Sequence, residues 1–332
     1  MIHIPEGYKS ALSVRQTEIA IKKIKDFFQR DLSVMLNLTR VSAPVFVTAD
    51  SGLNDNLSGR ERPVSFGLKS GEKMEIVHSL AKWKRKALAD YGFSRGEGLY
   101  TDMNAIRRDE DRDNLHSVFV DQWDWEKIIA KEERTEEKLE EVVNDIYRAL
   151  CHTENYVADD LGFTERIFPP KITFIDSGDL EEKYPALTPK QREYEAVKKY
   201  GAVFLKRIGG KLKNGKPHDL RAPDYDDWNL NGDILAYYPV LDIAFEISSM
   251  GIRVDETSLL SQLKEAGAEE RANLPFHRAL LEGKLPYTVG GGIGQSRICM
   301  LFLRKAHIGE VQSSVWDEET LRVCREKGVT LL

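Results

Sequence analysis

The stretch Gly290-Gly291-Gly292-Ile293-Gly294-Gln295-Ser296-Arg297 runs directly into Ile298-Cys299-Met300-Leu301-Phe302-Leu303. Glycines let a backbone turn with positive φ and approach another chain or a ligand closely. The apolar segment behind them reads as a buried helix, and Arg297 stands where that helix begins. An unpaired buried charge is costly, and a planar anion or an aromatic ring would satisfy a guanidinium there. On its own the stretch admits two readings: a strand-to-helix packing turn with a surface arginine, or a turn that carries a ligand.

Working outward, Ser117-Val118-Phe119-Val120-Asp121-Gln122-Trp123-Asp124-Trp125-Glu126 alternates polar with aromatic residues. That spacing predicts a strand with Gln122, Asp124 and Glu126 on one face and Trp123 and Trp125 on the other, the tryptophans facing the core. Asn231 to Tyr238 and Ala244 to Ser249 read as two more strands. Their Asp233 and Glu246 are able to hold a hard cation such as Mg²⁺ against a phosphate, or else form a polar pair on an open face. Gly251-Ile252-Arg253-Val254 puts another arginine on a strand that looks buried. Helices over about 256–267 and 268–282 precede the glycine-rich turn.

Nearer the N-terminus, Ser13-Val14-Arg15-Gln16 has capping-box form and opens a helix that Asn37 ends. Val41 to Val47 reads as a strand whose Pro44, lacking a donor, belongs at a sheet edge. Ser51 to Gly59 is loop by composition, and short strands follow at Val64 to Leu68 and Met74 to Val77. His78 to Arg85 begins a helix in which Lys84 and Arg85 read as solvated charges. Arg107 to Asn114 is a mixed-charge loop. The acidic helix from Glu132 carries an apolar stripe of Val142, Val143, Ile146, Tyr147 and Leu150. Strands at 171–175 and 201–205 and an Asn214-Gly215 hairpin turn complete the set; the acidic, aromatic loop from Arg221 to Trp228 has no evident role.

The 332 residues are 41% hydrophobic and 31% charged, as expected of a globular protein. A net charge of -6 argues against a broad nucleic-acid footprint. Three scattered cysteines make no disulfide framework, no apolar run is long enough to span a bilayer, and no secretory signal stands at the start. A cytoplasmic protein of one domain, 1–332, is expected.

Taken in order, these motifs resemble the catalytic domain of class II aminoacyl-tRNA synthetases, and most closely the aspartate–ammonia ligase (ammonia-dependent asparagine synthetase) family. Val41-Ser42-Ala43-Pro44 resembles the first class II motif, with Asn37 where a glycine is usual. Arg107 through Glu126 resembles the second, its Gln122-Trp123-Asp124-Trp125-Glu126 being similar to the Gln-x-Asp-x-Glu strand of aspartyl and asparaginyl enzymes. Gly292 to Arg297 resembles the third. Ser79 to Lys84 and Glu246 to Arg253 resemble the aspartate-recognising helix and strand.

The resemblance implies an α+β fold, a central antiparallel sheet of about six or seven strands flanked by helices, with no separate anticodon-binding domain. It implies a homodimer, and ATP-dependent amidation of L-aspartate by ammonia through a β-aspartyl-adenylate, with ATP as substrate and Mg²⁺ as cofactor. Arg107 is then expected on the α-phosphate, Arg297 on adenine or the far phosphates, and Glu110, Gly292 and Gly294 around ATP. Asp233 and Glu246 would carry the metal. Ser79, Lys84, Gln122, Asp124, Ser249 and Arg253 would bind aspartate, with Lys84 and Arg107 counted as catalytic. Asp55, with Asp226 as second candidate, would receive ammonium and take its proton. A tRNA-charging paralogue and a ligand sensor on the same fold are the competing functions. The first is disfavoured by acidity and by motifs that begin within the first ~50 residues, leaving no room for a further barrel domain. The second is disfavoured by retention of every charged site residue. No membrane or nucleic-acid partner is expected.

Overall fold

A computed structural model describes residues 2–55, 57 and 61–332. The 51–59 loop reading therefore lies partly outside the described residues, at Asn56, Ser58 and Gly59. Strands are β1 (Leu38–Arg40), β2 (Phe46–Thr48), β3 (Ser65–Gly67), β4 (Lys73–Ile76), β5 (Gly98–Ile106), β6 (Phe119–Ile128), β7 (Thr173–Asp176), β8 (Ala202–Lys206), β9 (Asp226–Tyr238), β10 (Ile243–Arg253) and β11 (Thr288–Gly294). Helices are α1 (Val14–Leu36), α2 (Ala81–Asp90), α3 (Glu136–Leu161), α4 (Ser177–Lys183), α5 (Pro189–Tyr200), α6 (Glu256–Ala266), α7 (Pro275–Leu281), α8 (Gln295–Phe302) and α9 (Glu318–Glu326).

The capping box closes as expected: Gln16 N donates to Ser13 Oγ while Gln16 Oε1 accepts from Ser13 N at 3.0 Å. Asn37 ends α1 at φ 56, a left-handed position that asparagine tolerates and glycine would fill without strain. The main sheet runs β1-β5-β6-β11-β10-β9-β8-β7. Its six inner strands are antiparallel, and each edge adds one parallel strand, β1 on β5 and β7 on β8. A small antiparallel sheet, β2-β4-β3, stands apart.

Three expectations are corrected. Residues 41–45 are not strand; Pro44 lies in the link between β1 and β2, where it breaks no ladder. The second of the two helices before β11 is a 3-10 turn, Glu269–Asn273, followed by α7, because Pro275 fits only a helix start. And Gly290 to Gly294 is no turn: it is the body of β11, in the middle of the sheet, with none of these glycines at positive φ.

The two faces of the sheet differ. Trp123 and Trp125 are fully buried on one face, in the main core with residues of α1, α3 and α8, and the Trp123 ring lies 4.9 Å from Phe28. The other face is covered at one end by α2 and at the other by α5, where Val203, Leu205 and Leu235 pack with Val197. Between them it is open.

His307, in the turn after α8, is buried, accepts from Gly309 N at 3.0 Å through Nδ1, and has no partner for Nε2 among the described residues. Burial lowers its pKa to about 4, Asp113 and Asp317 opposing weakly. The neutral ring is the folded form, so stability is complete above the ordinary histidine value and is lost as pH falls from about 6.5 to about 4. The expected loss is about 3 kcal/mol over that window. Thermal denaturation of wild type and His307→Asn across it tests this; parallel pH profiles would reject the assignment.

Candidate active site

A cavity of about 540 Å³ opens on the uncovered face. Its floor is made by alternation. On β6, Gln122 and Asp124 face the cavity while Trp123 faces the core. On β10, a flat strand would send Glu246 and Arg253, seven residues apart, to opposite faces. A bulge between Glu246 and Ser248 changes the parity, so Glu246, Ser249 and Arg253 all line the cavity.

The glycines of β11 lie across this floor because side chains from its neighbours occupy the space above them. A Cβ on Gly290 would lie 2.0 Å from Glu126 Oε2 and 2.6 Å from Arg253 Nη2. One on Gly292 would lie 2.5 Å from Gln122 Oε1 and 2.8 Å from Asp124 Oδ1. Close approach, not a turn, demands glycine here.

At one end of the cavity the buried charges interlock. Arg253 donates to both oxygens of Glu126 at 2.7–3.1 Å and pairs through Nη1 with Asp226. Thr288 Oγ1 donates to Glu126 at 2.7 Å. Desolvation opposes ionisation of Glu126, but Arg253 and Lys84 outweigh it and its pKa is lowered; burial leaves Asp226 raised despite Arg253. Lys84 is buried, contrary to the solvated reading: Nζ donates to Gly291 O at 2.9 Å and lies 3.5 Å from Asp124 Oδ1. Burial lowers its pKa. Arg85 is buried too, donating to Pro286 O and Val254 O at 2.8 and 2.7 Å. Asp124 Oδ2 accepts from Leu80 N at 3.0 Å, and Asp55 Oδ2 accepts from Ser79 Oγ at 2.8 Å. The first ties the start of α2 to β6, the second ties it to the loop that carries Asp55.

The other end carries Arg107, Glu110, His116 and Arg297. Arg107 Nε is buried and has no hydrogen-bond partner among the described residues, and Nη1 is 3.8 Å from Glu110 Oε2. Arg297 donates to Glu246 O at 3.0 Å and to His116 Nε2 at 2.7 Å. His116 Nδ1 lies 2.9 Å from Asp113 Oδ1, which holds the proton on Nδ1 and leaves Nε2 to accept. Desolvation raises Glu246, but the Coulombic pull of Arg297, Arg221 and Lys190 outweighs it and brings its pKa to about 2.

Asp55, Ser79, Lys84, Arg107, Glu110, Gln122, Asp124, Asp226, Glu246, Ser249, Arg253, Gly292, Gly294 and Arg297 thus share one cavity. Asp233 does not line it. This carboxylate is buried, paired with Arg221, and pushed up to about 7 by burial, with Glu246 adding to the rise. Sequence reasoning missed Arg221, Tyr225 and His116 as cavity residues. It also missed the buried knot that anchors their loop: Asp224 Oδ2 accepts from Lys82 Nζ at 3.1 Å and meets His277 Nε2 at 2.9 Å. The density of acidic and aromatic residues in 221–228 was the signal that could have found them.

A family description, aspartate-ammonia ligase, matches residues 15–328. Aspartate–ammonia ligases of Clostridium perfringens and Fusobacterium nucleatum are 63% and 61% identical, over 100% and 98% of this chain and 99% and 100% of theirs. Among solved structures, the asparaginyl-tRNA synthetase of Entamoeba histolytica superposes with a TM-score of 0.63 at 14% identity, over 90% of this chain and 67% of that one. The Pyrococcus horikoshii enzyme complexed with asparaginyl-adenylate gives 0.60 at 16%, over 90% and 68%. The fold is that of the class II synthetase catalytic domain, and the chain belongs to the aspartate–ammonia ligase family.

Proposed function

We propose that this cavity converts L-aspartate, ATP and ammonia to L-asparagine, AMP and diphosphate, as a single catalytic unit. The observation that carries the reading is the set of charged groups along one cavity: Lys84, Asp124 and Arg253 at one end, with Glu126 buried behind Arg253, and Arg107 and Arg297 with Glu110 and Glu246 at the other. In the first step a β-carboxylate oxygen of aspartate attacks the α-phosphorus and the bond to diphosphate breaks. The protein's part is to hold the two reactants in line and to neutralise charge at phosphorus. Arg107 is suited to the α-phosphate because a buried N–H there has no partner among the described residues. Arg297, held flat by His116 and the Glu246 carbonyl, offers a planar face or a fork to the nucleotide. Glu110, Gly292 and Gly294 lie around the same space.

Gln122, Asp124 and Ser79 are proposed to take the substrate's ammonium, and Lys84, Arg253 and Ser249 its carboxylates. The fork of Arg253 already engages Glu126 and Asp226, so it meets a ligand with the remaining N–H groups. Asp233 and Glu246 would hold Mg²⁺; the buried, unpartnered Oδ1 of Asp233 fits a cation. Among the described residues no group of three or more such ligands occurs, so phosphate and water oxygens would complete the shell. When bound, that ion supplies charge neutralisation at the phosphates. In the second step ammonium gives a proton to a carboxylate, NH₃ attacks the acyl carbon, AMP leaves with the C–O bond electrons, and the added nitrogen loses a second proton to solvent to give the neutral amide.

Asp55 is the proposed acceptor in preference to Asp226. Among the described residues no cation lies within salt-bridge distance of Asp55, whereas Asp226 is tied to Arg253. Asp55→Asn should lower ammonia-dependent asparagine formation by 10²-fold or more and leave aspartate-dependent diphosphate–ATP exchange within a few-fold. Intact amidation in this variant removes Asp55 from the role. The whole reading is tested by incubating the protein with aspartate, Mg-ATP and ammonium: AMP, diphosphate and asparagine are expected, and tRNA charging in place of asparagine would overturn it. A homodimer is proposed as well, supported by the exposed apolar side chains Ile19 and Val34 on α1 and Val45 and Phe46 beside it in sequence order. No described helix is long and apolar enough to cross a membrane; cytoplasmic residence is part of the proposal.

A further inference from the structure

Arg221 lies in the connection between β8 and β9, two residues before Pro223. It lines the cavity with Arg107 and Arg297, whereas Asp233, which it pairs through Nη2, does not. Asp219 Oδ2 lies 3.5 Å from the same nitrogen. Two polar atoms of the pair, Arg221 Nε and Asp233 Oδ1, are buried and have no hydrogen-bond partner among the described residues. Each group thus keeps capacity beyond the other, with the Ser249 hydroxyl beside the carboxylate. Glu246, on the adjoining strand, turns toward Arg297 at 3.7 Å. Asp233 and Glu246 are thus each paired with an arginine, Arg221 and Arg297.

A divalent cation bound by Asp233 would compete with Arg221 for the same carboxylate. Two cations cannot share it closely without repulsion, and the guanidinium is the one on a connecting segment. We propose that Arg221 is the resident counter-ion of Asp233 and exchanges with the divalent cation, its freed fork then binding the phosphates of ATP as a third arginine beside Arg107 and Arg297. The proposal rests on reading Asp233 and Glu246 as metal carboxylates. A guanidinium suits both states, since its planar fork matches carboxylate and phosphate alike.

The test uses Mn²⁺ binding followed by EPR without nucleotide, and calorimetric ATP binding both with Mg²⁺ and in EDTA. Arg221→Met should bind Mn²⁺ at least tenfold more tightly, because the competing charge is gone, and ATP in the presence of Mg²⁺ at least tenfold more weakly. Asp233→Asn, which needs no change at Arg221, should bind metal-free ATP more tightly, and that gain should vanish in the double variant. Unchanged Mn²⁺ affinity in Arg221→Met, with weaker affinity in Asp233→Asn and Glu246→Gln, would overturn the exchange and leave the metal assignment standing. Unchanged Mn²⁺ affinity in both carboxylate variants would overturn the metal assignment and the exchange with it. Should Arg221→Met fail to fold, Arg221→Lys and Asp233→Asn carry the same comparison.

Discussion

Gly290→Ala is expected to abolish aspartate binding while leaving ATP binding nearly intact. The added methyl would stand 2.0 Å from Glu126 Oε2 and 2.6 Å from Arg253 Nη2. No rotamer of the new residue avoids this, since Cβ has no torsion of its own. The ion pair above it would have to move, although Glu126 is fully buried and also held by Thr288. Overpacking a core costs about 1–3 kcal/mol, and separating a buried pair costs about 3–5 kcal/mol. The expected outcome is a fall in stability of roughly 3 kcal/mol or more and a KM for aspartate raised at least 100-fold. Gly67→Ala is the control, because open space surrounds that position. Thermal denaturation and separate KM measurements for aspartate and ATP decide the matter. A wild-type aspartate KM in Gly290→Ala would mean that the Glu126–Arg253 pair does not shape the substrate site.

That prediction depends on a feature the sequence displayed but did not explain. The run of glycines was legible as a place of close approach, yet its conformation was misread as a turn. Glycine reports that a side chain is unwelcome, and only the neighbouring strands reveal what excludes it. Period-two alternation through Trp123 and Trp125 was sufficient to assign both faces of β6, since nothing interrupts that strand. The same reasoning fails on β10, where one bulged residue inverts the parity between Glu246 and Arg253. Lys82, Lys84 and Arg85 carry helix-surface chemistry in sequence. They are buried because groups far along the chain meet them: Asp224 on a connection, the Gly291 carbonyl on β11 and the Val254 carbonyl just past β10. Arg221 and Asp224 gave no periodic signal, being on a connection, and their partners Asp233 and His277 are set by tertiary packing alone. Order along the chain thus named residues that the fold brings, Asp233 excepted, to one cavity, while burial and pairing came from contacts that no local pattern encodes.

Arg107→Ala should lower the rate of adenylate formation about 10³-fold, the loss typical of removing one preorganised donor from a developing negative charge. The equivalent barrier increase is about 4 kcal/mol. Its structural basis is a donor left for a ligand: Arg107 Nε is buried and meets no hydrogen-bond partner among the described residues, and Nη1 is 3.8 Å from Glu110 Oε2. A buried N–H left unpaired costs about 1–3 kcal/mol, so an anion that takes it adds stability. Removing the side chain should accordingly leave thermal stability unchanged or slightly raised, the pattern expected where a site is built for function at the expense of stability. Arg107→Lys should recover part of the rate through charge but not the fork geometry. Aspartate-dependent diphosphate–ATP exchange isolates this step from amidation, and the melting temperature supplies the second reading. A rate within tenfold of wild type, or a large loss of stability with Arg107→Ala, would make the arginine a structural residue and move the phosphate-binding role to Arg297 and Arg221.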